Sequence, residues 1–451
     1  MNADTMTDDS LLQEVRTFRQ QHPDIQNVDL LGFDLAGRFH GKRYPIDQIE
    51  KIAAGGMLKY PQNMLLLGTQ GRVYRIDDYA FVDGDPDTPR RLVPGSLVRV
   101  GWQSEPLAQM LMTSGGTAAP VCFEPREVLS RVVERLRNKG MRPTVAFELE
   151  FYLVDRQRQD GLPQAPRDPV TGLQDNTSFD IESLNRFGDV LQDIVRCAQM
   201  QGIDTTTLLS EDGPSQFEIN FNHTSDPLRA ADHSAMFCRI VRGVAQQHDC
   251  EASFMAKPYL QHAGSGMHLH VSLYGEDGEN LLSRHAGAAL RHAVAGCLAW
   301  IPHTMPIYAP NHNALRRHTG GAVNAASHAS WGLENRDACL RIPESEPQDL
   351  RIEHRLSGAN ANPYLVLAAV LSAMEYGLEQ GLEPIPSLNE ARSSGVEFPT
   401  DMLEAVRRME CADFVQDALG AEFVNVFCQN KRQDQLAFMA PITARECEWF
   451  L

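Results

Sequence analysis

The chain lacks the features that would tie it to the cell exterior, to a lipid bilayer or to nucleic acid. Its nine cysteines, at positions 122, 197, 238, 250, 297, 339, 411, 428 and 447, form no CxxC pair, and several stand among apolar residues such as Val121, Phe237 and Phe427. Such scatter excludes a disulfide framework or a structural zinc site and fits reduced thiols. Basic residues are in deficit, 41 Lys and Arg against 59 Asp and Glu, and the resulting net charge of −18 argues against nucleic acid or an anionic membrane as partner. Long hydrophobic runs are missing too. The longest, 364–374, falls far short of the roughly 20 residues that span a bilayer. Residues 1–9 are polar and acidic, without the basic and apolar blocks of a signal peptide. The expected compartment is the cytoplasm.

What is present is a globular composition, 43% hydrophobic and 22% charged, on a chain of 451 residues, too long for one ordinary core. A division into an N-terminal helix (1–24), a small α+β domain (25–117) and a large domain (118–451) is expected. Ser10-Leu11-Leu12-Gln13 reads as a capping box opening an amphipathic helix that His22-Pro23 ends. Strands at 27–33 and 38–44 flank Asp34-Leu35-Ala36-Gly37 as a hairpin, a short helix follows at 46–53, and strand-like pieces lie at 73–76 and 97–102. Glu124-Pro125 starts a helix carrying Val128, Leu129, Val132, Val133 and Leu136, which Gly140 stops.

The most informative stretch is 144–154, in which Val145, Phe147, Leu149, Phe151 and Leu153 alternate with Ala146, Glu148, Glu150 and Tyr152. As a strand it sets Glu148 and Glu150 side by side, roughly 6.5–7 Å apart at the backbone, on a segment otherwise fit for burial. Unpaired buried charges are costly, so a cation beside them would rationalise the pattern; a half-exposed strand whose polar face meets water is the simpler alternative. Three later segments repeat the alternation. Gln216, Glu218, Asn220 and Asn222 oppose Phe217, Ile219 and Phe221; His268, His270 and Ser272 oppose Met267, Leu269, Val271 and Leu273; and Arg351, Glu353 and Arg355 share one side of a fourth strand. Four such strands predict one curved antiparallel sheet with a polar site on its concave face, covered on the other by helices at 184–200, 227–249 and 290–303.

These residues carry a family resemblance. Ala146-Phe147-Glu148-Leu149-Glu150, Glu211 with Gln216-Phe217-Glu218, Lys257-Pro258 followed by Gly264-Ser265-Gly266-Met267-His268-Leu269-His270, Asn335-Arg336 with Arg341-Ile342-Pro343, and Arg351-Ile352-Glu353-His354-Arg355 with Asn360-Ala361-Asn362-Pro363-Tyr364 resemble, in order, the motifs of the glutamine synthetase superfamily. The 34–44 hairpin resembles its N-terminal β-grasp domain. The resemblance implies an α+β fold of the glutamine synthetase and guanido kinase type, with a small β-grasp domain and a large catalytic domain. It implies Glu150, Glu211 and Glu218 as ligands of one divalent metal and Glu148, His268 and Glu353 as ligands of a second, with Mg²⁺ or Mn²⁺ suiting such oxygen-rich sets. His270, Ser272, Arg341 and Arg351 match positions near ATP, Gly264, Arg317 and Arg355 positions around the amino-acid substrate, and Arg336 and Arg355 positions facing the transferred phosphoryl group. It further implies a six-subunit ring or two stacked rings.

The implied reaction is ATP-dependent activation of the glutamate γ-carboxylate as an acyl phosphate, which an amine then attacks. The departures from glutamine synthetases proper fall at the amine end. Lys59 stands where the family carries an ammonium-binding Asp, and the loop 318–327 has no carboxylate where the family carries a Glu. Ala263 replaces a common Asn, and Gln348 a common Lys. The resemblance is therefore to the branch that makes γ-glutamylamides from polyamines or monoamines. The missing carboxylates, with Tyr60 and Trp331 as apolar surface, favour a bulky monoamine over a polyamine. An ammonia-using glutamine synthetase, a catalytically silent regulatory or structural homologue, and a phosphotransferase of the guanidino-kinase kind are the alternatives.

Overall fold

The structure is a computed structural model and describes residues 8–79, 84–115, 121–167, 178–284, 287–319, 326–391 and 395–451. Its first part holds α1 (Asp8–Gln21), β1 (Asn27–Phe33), β2 (Phe39–Pro45), α2 (Ile46–Ala53), β3 (Lys59–Pro61), β4 (Asp87–Leu92), β5 (Val98–Arg99) and β6 (Ala108–Ser114). These strands form one sheet in the order β2-β1-β6-β4-β3, with β5 on β6, and β1 runs parallel to β6. The β1–β2 hairpin closes where the sequence predicts. Asp34 accepts the Arg38 N–H at 2.8 Å, and Gly37 takes the left-handed conformation (φ 81°) that the turn demands. Alternation along β1 and β6 gives the sheet two apolar faces. Val28, Leu30, Ala108 and Met110 pack with Val15, Ile46 and Ile49 of the two helices, whereas Leu31, Phe33 and Leu111 join the main core.

After α3 (Pro125–Asn138), capped by Gly140 at φ 74°, the chain enters β7 (Arg142–Asp155). There follow β8 (Arg158–Gln159), β9 (Leu162–Pro163), α4 (Ile181–Arg186), α5 (Gly188–Met200), β10 (Thr205–Ser210), β11 (Gln216–Phe221), α6 (Pro227–Gln247), β12 (Cys250–Ser253) and β13 (Met267–Tyr274). Next come α7 (Ala288–Tyr308), α8 (His312–Leu315), β14 (Trp331–Leu333), β15 (Leu340–Ile342), β16 (Ile352–His354) and α9 (Pro363–Gln380). The chain ends in α10 (Met402–Glu410), α11 (Asp413–Leu419), α12 (Ala421–Met439) and α13 (Ala444–Phe450).

The second sheet runs β10-β11-β7-β13-β16-β15-β14, with β12 also on β7. The four strands singled out by their alternation are its centre, each antiparallel to the next. Their register stacks the polar residues in rows. Glu218 lies opposite Glu150, both Asn220 and His268 lie opposite Glu148, and His270 lies opposite Glu353. The apolar face, including Phe147, Leu149, Phe151, Phe217 and Leu269, is sealed among residues of α6, α7 and α9 such as Ile240, Ile301 and Val370. At roughly 1.5–3 kcal/mol per fully buried large side chain, this packing fixes which face is left for the carboxylates.

Several local expectations change. Ser10 lies inside α1 rather than at its cap. The helix expected over 184–200 breaks at Phe187-Gly188 into α4 and α5, the segment 73–76 contributes only an isolated bridge from Val73 to Leu67, and 97–102 shrinks to β5. No described helix is long and apolar enough to cross a membrane.

One tie joins the two ends of the chain. Asp434 on α12 accepts hydrogen bonds from the Thr69 N–H and hydroxyl (both 2.8 Å), from the Tyr74 hydroxyl (3.0 Å) and from the buried Lys431 ammonium (3.2 Å). Replacing Asp434 with Ala strands a buried cation and three donors, and is expected to cost about 3–5 kcal/mol. Equilibrium denaturation checks this, and a loss under about 1 kcal/mol would show that the tie is not structural.

Candidate active site

β7, β11, β13 and β16 aim their polar rows into one space. Glu150 Oε2 accepts the Gly266 N–H at 2.9 Å and Gln216 Nε2 at 3.1 Å, which fixes its carboxylate on the seam between three strands. Glu148 is held by Asn220 Nδ2 and His270 Nε2, each at 2.9 Å on Oε1, and by His268 Nδ1 at 3.3 Å on Oε2. Glu353, 1% exposed, takes Arg341 Nη1 at 2.5 Å on one oxygen and Arg355 Nη1 on the other. Ligand atoms of Glu148, Glu218 and His268 lie within 4.8 Å of one another, and so do those of Glu148, His270 and Glu353.

The charges of this cluster do not balance. Burial, then the charges of Glu150, Glu148 and Glu211, push the Glu218 carboxyl up to about 9. Burial, then Glu150, pushes Glu211 up to about 7. Burial would raise Glu148 as well, but its hydrogen bonds from His268 and His270 hold it far below the ordinary carboxylate range. Glu353 is likewise lowered, its burial outweighed by Arg355, His268 and His270. His268 Nε2 is buried without a hydrogen bond among the described residues and faces Glu150 Oε1 at 3.6 Å. A buried imidazole nitrogen with a free lone pair, ringed by crowded carboxylates, is a donor set that fits a hard divalent cation with room for phosphate and water oxygens. The residues present therefore fit divalent cations, although the two groups whose ligand atoms converge, Glu148–Glu218–His268 and Glu148–His270–Glu353, divide them differently from the two sets that the resemblance implies.

A pH dependence follows. Glu211 and Glu218 keep their protons in the folded, metal-free protein at pH values where the unfolded chain has released them. The unfolded state then binds fewer protons, so stability falls as pH rises from about 4.5 to about 9. With chelator present, the thermal midpoint should drop steadily across that window. Added Mg²⁺ should raise it most at the alkaline end, where the carboxylates are free to bind. A midpoint independent of both pH and Mg²⁺ would contradict the crowding.

The other residues named from sequence fall into three groups. His270, Ser272 and Arg351 line a cavity of about 500 Å³ on the Thr144 side of the cluster, together with Asn222 and Ser345. Arg351 Nε donates to His270 Nδ1 at 3.3 Å, leaving the Nε2–H to donate to Glu148. Arg341 does not line that cavity; it spans Glu353 and Glu334. Arg317 is buried, with Nη1 on the carbonyls of Leu356 (2.9 Å) and Arg355 (3.2 Å), and a Cβ on Gly264 would sit 2.5 Å from the Ala256 carbonyl and 3.0 Å from Arg317 Cγ. Arg336 alone stands exposed, on the turn between β14 and β15.

Periodicity marks Gln216 and Asn220 as polar-face residues but does not disclose their role. Gln216 holds Glu150, accepts the Gly213 N–H at 2.9 Å and donates to the Gly264 carbonyl at 3.1 Å, so it links the carboxylates to the Gly264 loop. Gly266 belongs to the motif quoted from the sequence, which does not disclose its role; a Cβ there would fall 2.7 Å from Arg317 Nη2 and 2.8 Å from His268 Nε2.

The profile of the glutamine synthetase catalytic domain matches residues 123–450. The chain belongs to the glutamine synthetase family. Gamma-glutamylputrescine synthetase PuuA of Escherichia coli (strain K12) is 38% identical to it, over 97% of this chain and 94% of that protein. Gamma-glutamylethanolamide synthetase GlnA4 of Streptomyces coelicolor is 28% identical over 93% and 91%. A solved structure of apo GmaS superimposes with a TM-score of 0.83 at 25% identity, covering 96% of this chain and 98% of that one. Enzymes of the glutamine synthetase family use ATP and divalent metal ions, which agrees with the donor set built by β7, β11, β13 and β16.

The structure bears on three expectations at the amine end. Tyr60, expected to offer apolar surface to the amine, is 2% exposed inside the first sheet's own cluster, with Lys42 Nζ 4.6 Å above its ring. In a three-residue strand, alternation cannot say which side faces inward, and Lys59 takes the exposed position instead. Trp331 is half-buried, its indole N–H on the Ile385 carbonyl at 2.7 Å. The carboxylate-free loop lies largely outside the described residues, at 320–325.

Proposed function

We propose that the amine used by this enzyme is a primary amine other than ammonia, small aliphatic monoamines and diamines included. The chain is an ATP-dependent glutamate–amine ligase. The glutamate γ-carboxylate attacks the γ-phosphorus of ATP, ADP leaves, and the neutral amine nitrogen then displaces phosphate from the γ-glutamyl phosphate and releases one proton to give the amide. Mg²⁺ or Mn²⁺, held by Glu150, Glu211 and Glu218 on one side and Glu148, His268 and Glu353 on the other, would neutralise phosphate oxygens during the transfer. His270, Ser272 and Arg351 bind the nucleotide in the cavity that they line, and Arg341 acts through Glu353, whose carboxylate it orients. Arg317 and Gly264 shape the amino-acid pocket. Arg355 spreads the phosphoryl charge from its post on Glu353, joined by Arg336.

The observation that carries this reading is the buried His268 Nε2, unbonded among the described residues, set among carboxylates that burial and then crowding drive up. The choice of amine rests on Lys59 in place of an acid, on the carboxylate-free loop, and on relatives named for putrescine and ethanolamine. A bulky monoamine loses part of its support because Tyr60 is buried. Phosphate release from ATP, measured with glutamate and a panel of ammonia, ethanolamine, isopropylamine, putrescine and an aromatic monoamine, tests the proposal. Turnover with at least one organic amine should exceed that with ammonia by about tenfold or more in kcat/KM. Turnover with ammonia alone would assign the chain to glutamine synthetases proper, and no amine-dependent turnover would mark it as silent. Assembly as a six-subunit ring or a stacked pair, and residence in the cytoplasm, belong to the same reading; mass photometry checks the first.

A further inference from the structure

On the far side of the catalytic sheet, a cleft of about 630 Å³ opens between the β1–β2 hairpin and helices α6 and α12. Met267, whose neighbour His268 points to the catalytic cluster, lines it from the opposite face, and it shares no lining residue with the cavity beside His270. Its volume lies within the range of small-molecule sites. Its charge is unusual for this chain. Acids outnumber bases 59 to 41 overall, yet among the described residues the cleft is lined by four cations, Arg38, Arg239, Arg242 and Lys431, and by no carboxylate.

The cations are not all neutralised. Arg239 is paired, on Asp29 at 3.3 Å and Gln109 at 2.8 Å. Lys431 is 1% exposed; the buried Asp34 carboxylate interacts with it electrostatically and the Phe427 ring lies 5.7 Å away, but among the described residues its three N–H donors meet one acceptor, Asp434 Oδ2 at 3.2 Å. That same carboxylate also serves Thr69 and Tyr74, so its charge is spread over four donors. Arg242 lies over the Phe254 ring at 4.9 Å, and Arg38 is exposed. Buried ammonium charge with spare donors is costly unless an anion or water completes it. Phe33, Phe39 and Trp102 supply flat apolar walls beside the cations.

We propose that this cleft is a second ligand site, separate from the catalytic centre, for a small organic anion carrying a planar ring. The anionic group is held by Lys431, with Arg38 and Arg242 closing over it, and the ring lies against the aromatic walls. Two kinds of molecule share this chemistry, a nucleoside monophosphate and an aromatic carboxylate.

The test uses the assembled enzyme without added nucleotide, so that nothing of the proposed chemistry competes for the cleft, and a double variant of the cleft separates binding there from binding at the nucleotide site. Isothermal titration with AMP, and separately with phenylpyruvate, is expected to show one site per subunit for at least one of them. The probe that binds identifies the class. In the double variant Arg38→Glu/Arg242→Glu, whose side chains are exposed or at the rim and whose folding circular dichroism verifies, affinity should fall at least about tenfold while kcat/KM without probe is unchanged. Failure of both probes to bind at millimolar concentration overturns the proposal, as does equal affinity in the double variant. A subunit contact filling the cleft would register as the first of these failures. The catalytic assignment does not enter either outcome.

Discussion

Glu150→Gln is expected to lower kcat by about 10³-fold or more, roughly 4 kcal/mol of transition-state stabilisation, without destabilising the metal-free protein. The two halves of this expectation have different origins. Loss of activity follows from removing a negative oxygen donor at the point where β7, β11 and β13 converge, where Glu150 faces the unbonded nitrogen of His268. Retention of stability follows from the same charge, which adds to burial in raising both Glu218 and Glu211. A neutral amide relieves that repulsion and can still accept the Gly266 N–H. In chelator, the variant should unfold at or above the wild-type temperature, and the stabilisation by Mg²⁺ should shrink. Glu353→Ala is the useful contrast. It also abolishes turnover, but strands the largely buried Arg355 guanidinium and leaves Arg341 with Glu334 alone, and should cost about 3–5 kcal/mol of stability as well. Turnover within about tenfold of wild type in Glu150→Gln would refute the assignment of this carboxylate to the metal.

Gly266→Ala is expected to lower kcat/KM about 10²-fold through one added methyl group. Gly266 does not use the left-handed conformation, so the backbone accepts alanine; the obstacle is space. The methyl would sit 2.7 Å from Arg317 Nη2, 2.8 Å from His268 Nε2 and 3.1 Å from Glu150 Oε1, and each would have to give way. These atoms belong to the proposed metal cluster and to the amino-acid pocket, and displacement of reacting groups by about 1 Å is worth roughly that loss. A glycine with open surroundings supplies the control. Gly188, at the start of α5, has nothing within 4 Å of where an added methyl group would stand, so Gly188→Ala should leave kinetics unchanged. Equal activity in the two variants would mean that the cluster tolerates crowding and that its geometry is not set by Gly266.

Much of this architecture is legible in the alternation of a few strands. Phe147, Leu149 and Phe151 on one side, with Glu148 and Glu150 on the other, define a strand with a buried apolar face, and the pattern recurs at Phe217, Leu269 and Ile352. Because side-chain period in a strand is two, the assignment of faces survives small errors in strand boundaries. The sequence also leads correctly to the glutamine synthetase family, whose catalytic domain spans 123–450. What is not legible depends on partners remote in sequence. Asp434 meets Thr69 across 365 positions, and no local pattern announces it. Tyr60 disappears into a core built by α1, α2 and β6, which its three-residue strand could not foretell. Arg341 turns to Glu353 and Glu334 because a nearby carboxylate pair outweighs a more open cavity, a competition that motif position alone does not resolve.

The line of contacts Arg351–His270–Glu148 has a thermodynamic corollary. One imidazole ring accepts from the guanidinium beside the proposed nucleotide cavity and donates to a carboxylate of the proposed metal cluster. A nucleotide that draws Arg351 toward its phosphates changes the hydrogen bond that His270 makes, and so changes the charge available on Glu148. By linkage, the factor by which nucleotide alters metal affinity must equal the factor by which metal alters nucleotide affinity. The two equilibria form a closed cycle with a single coupling free energy, and substitution of His270 should reduce that one quantity whichever ligand is added first.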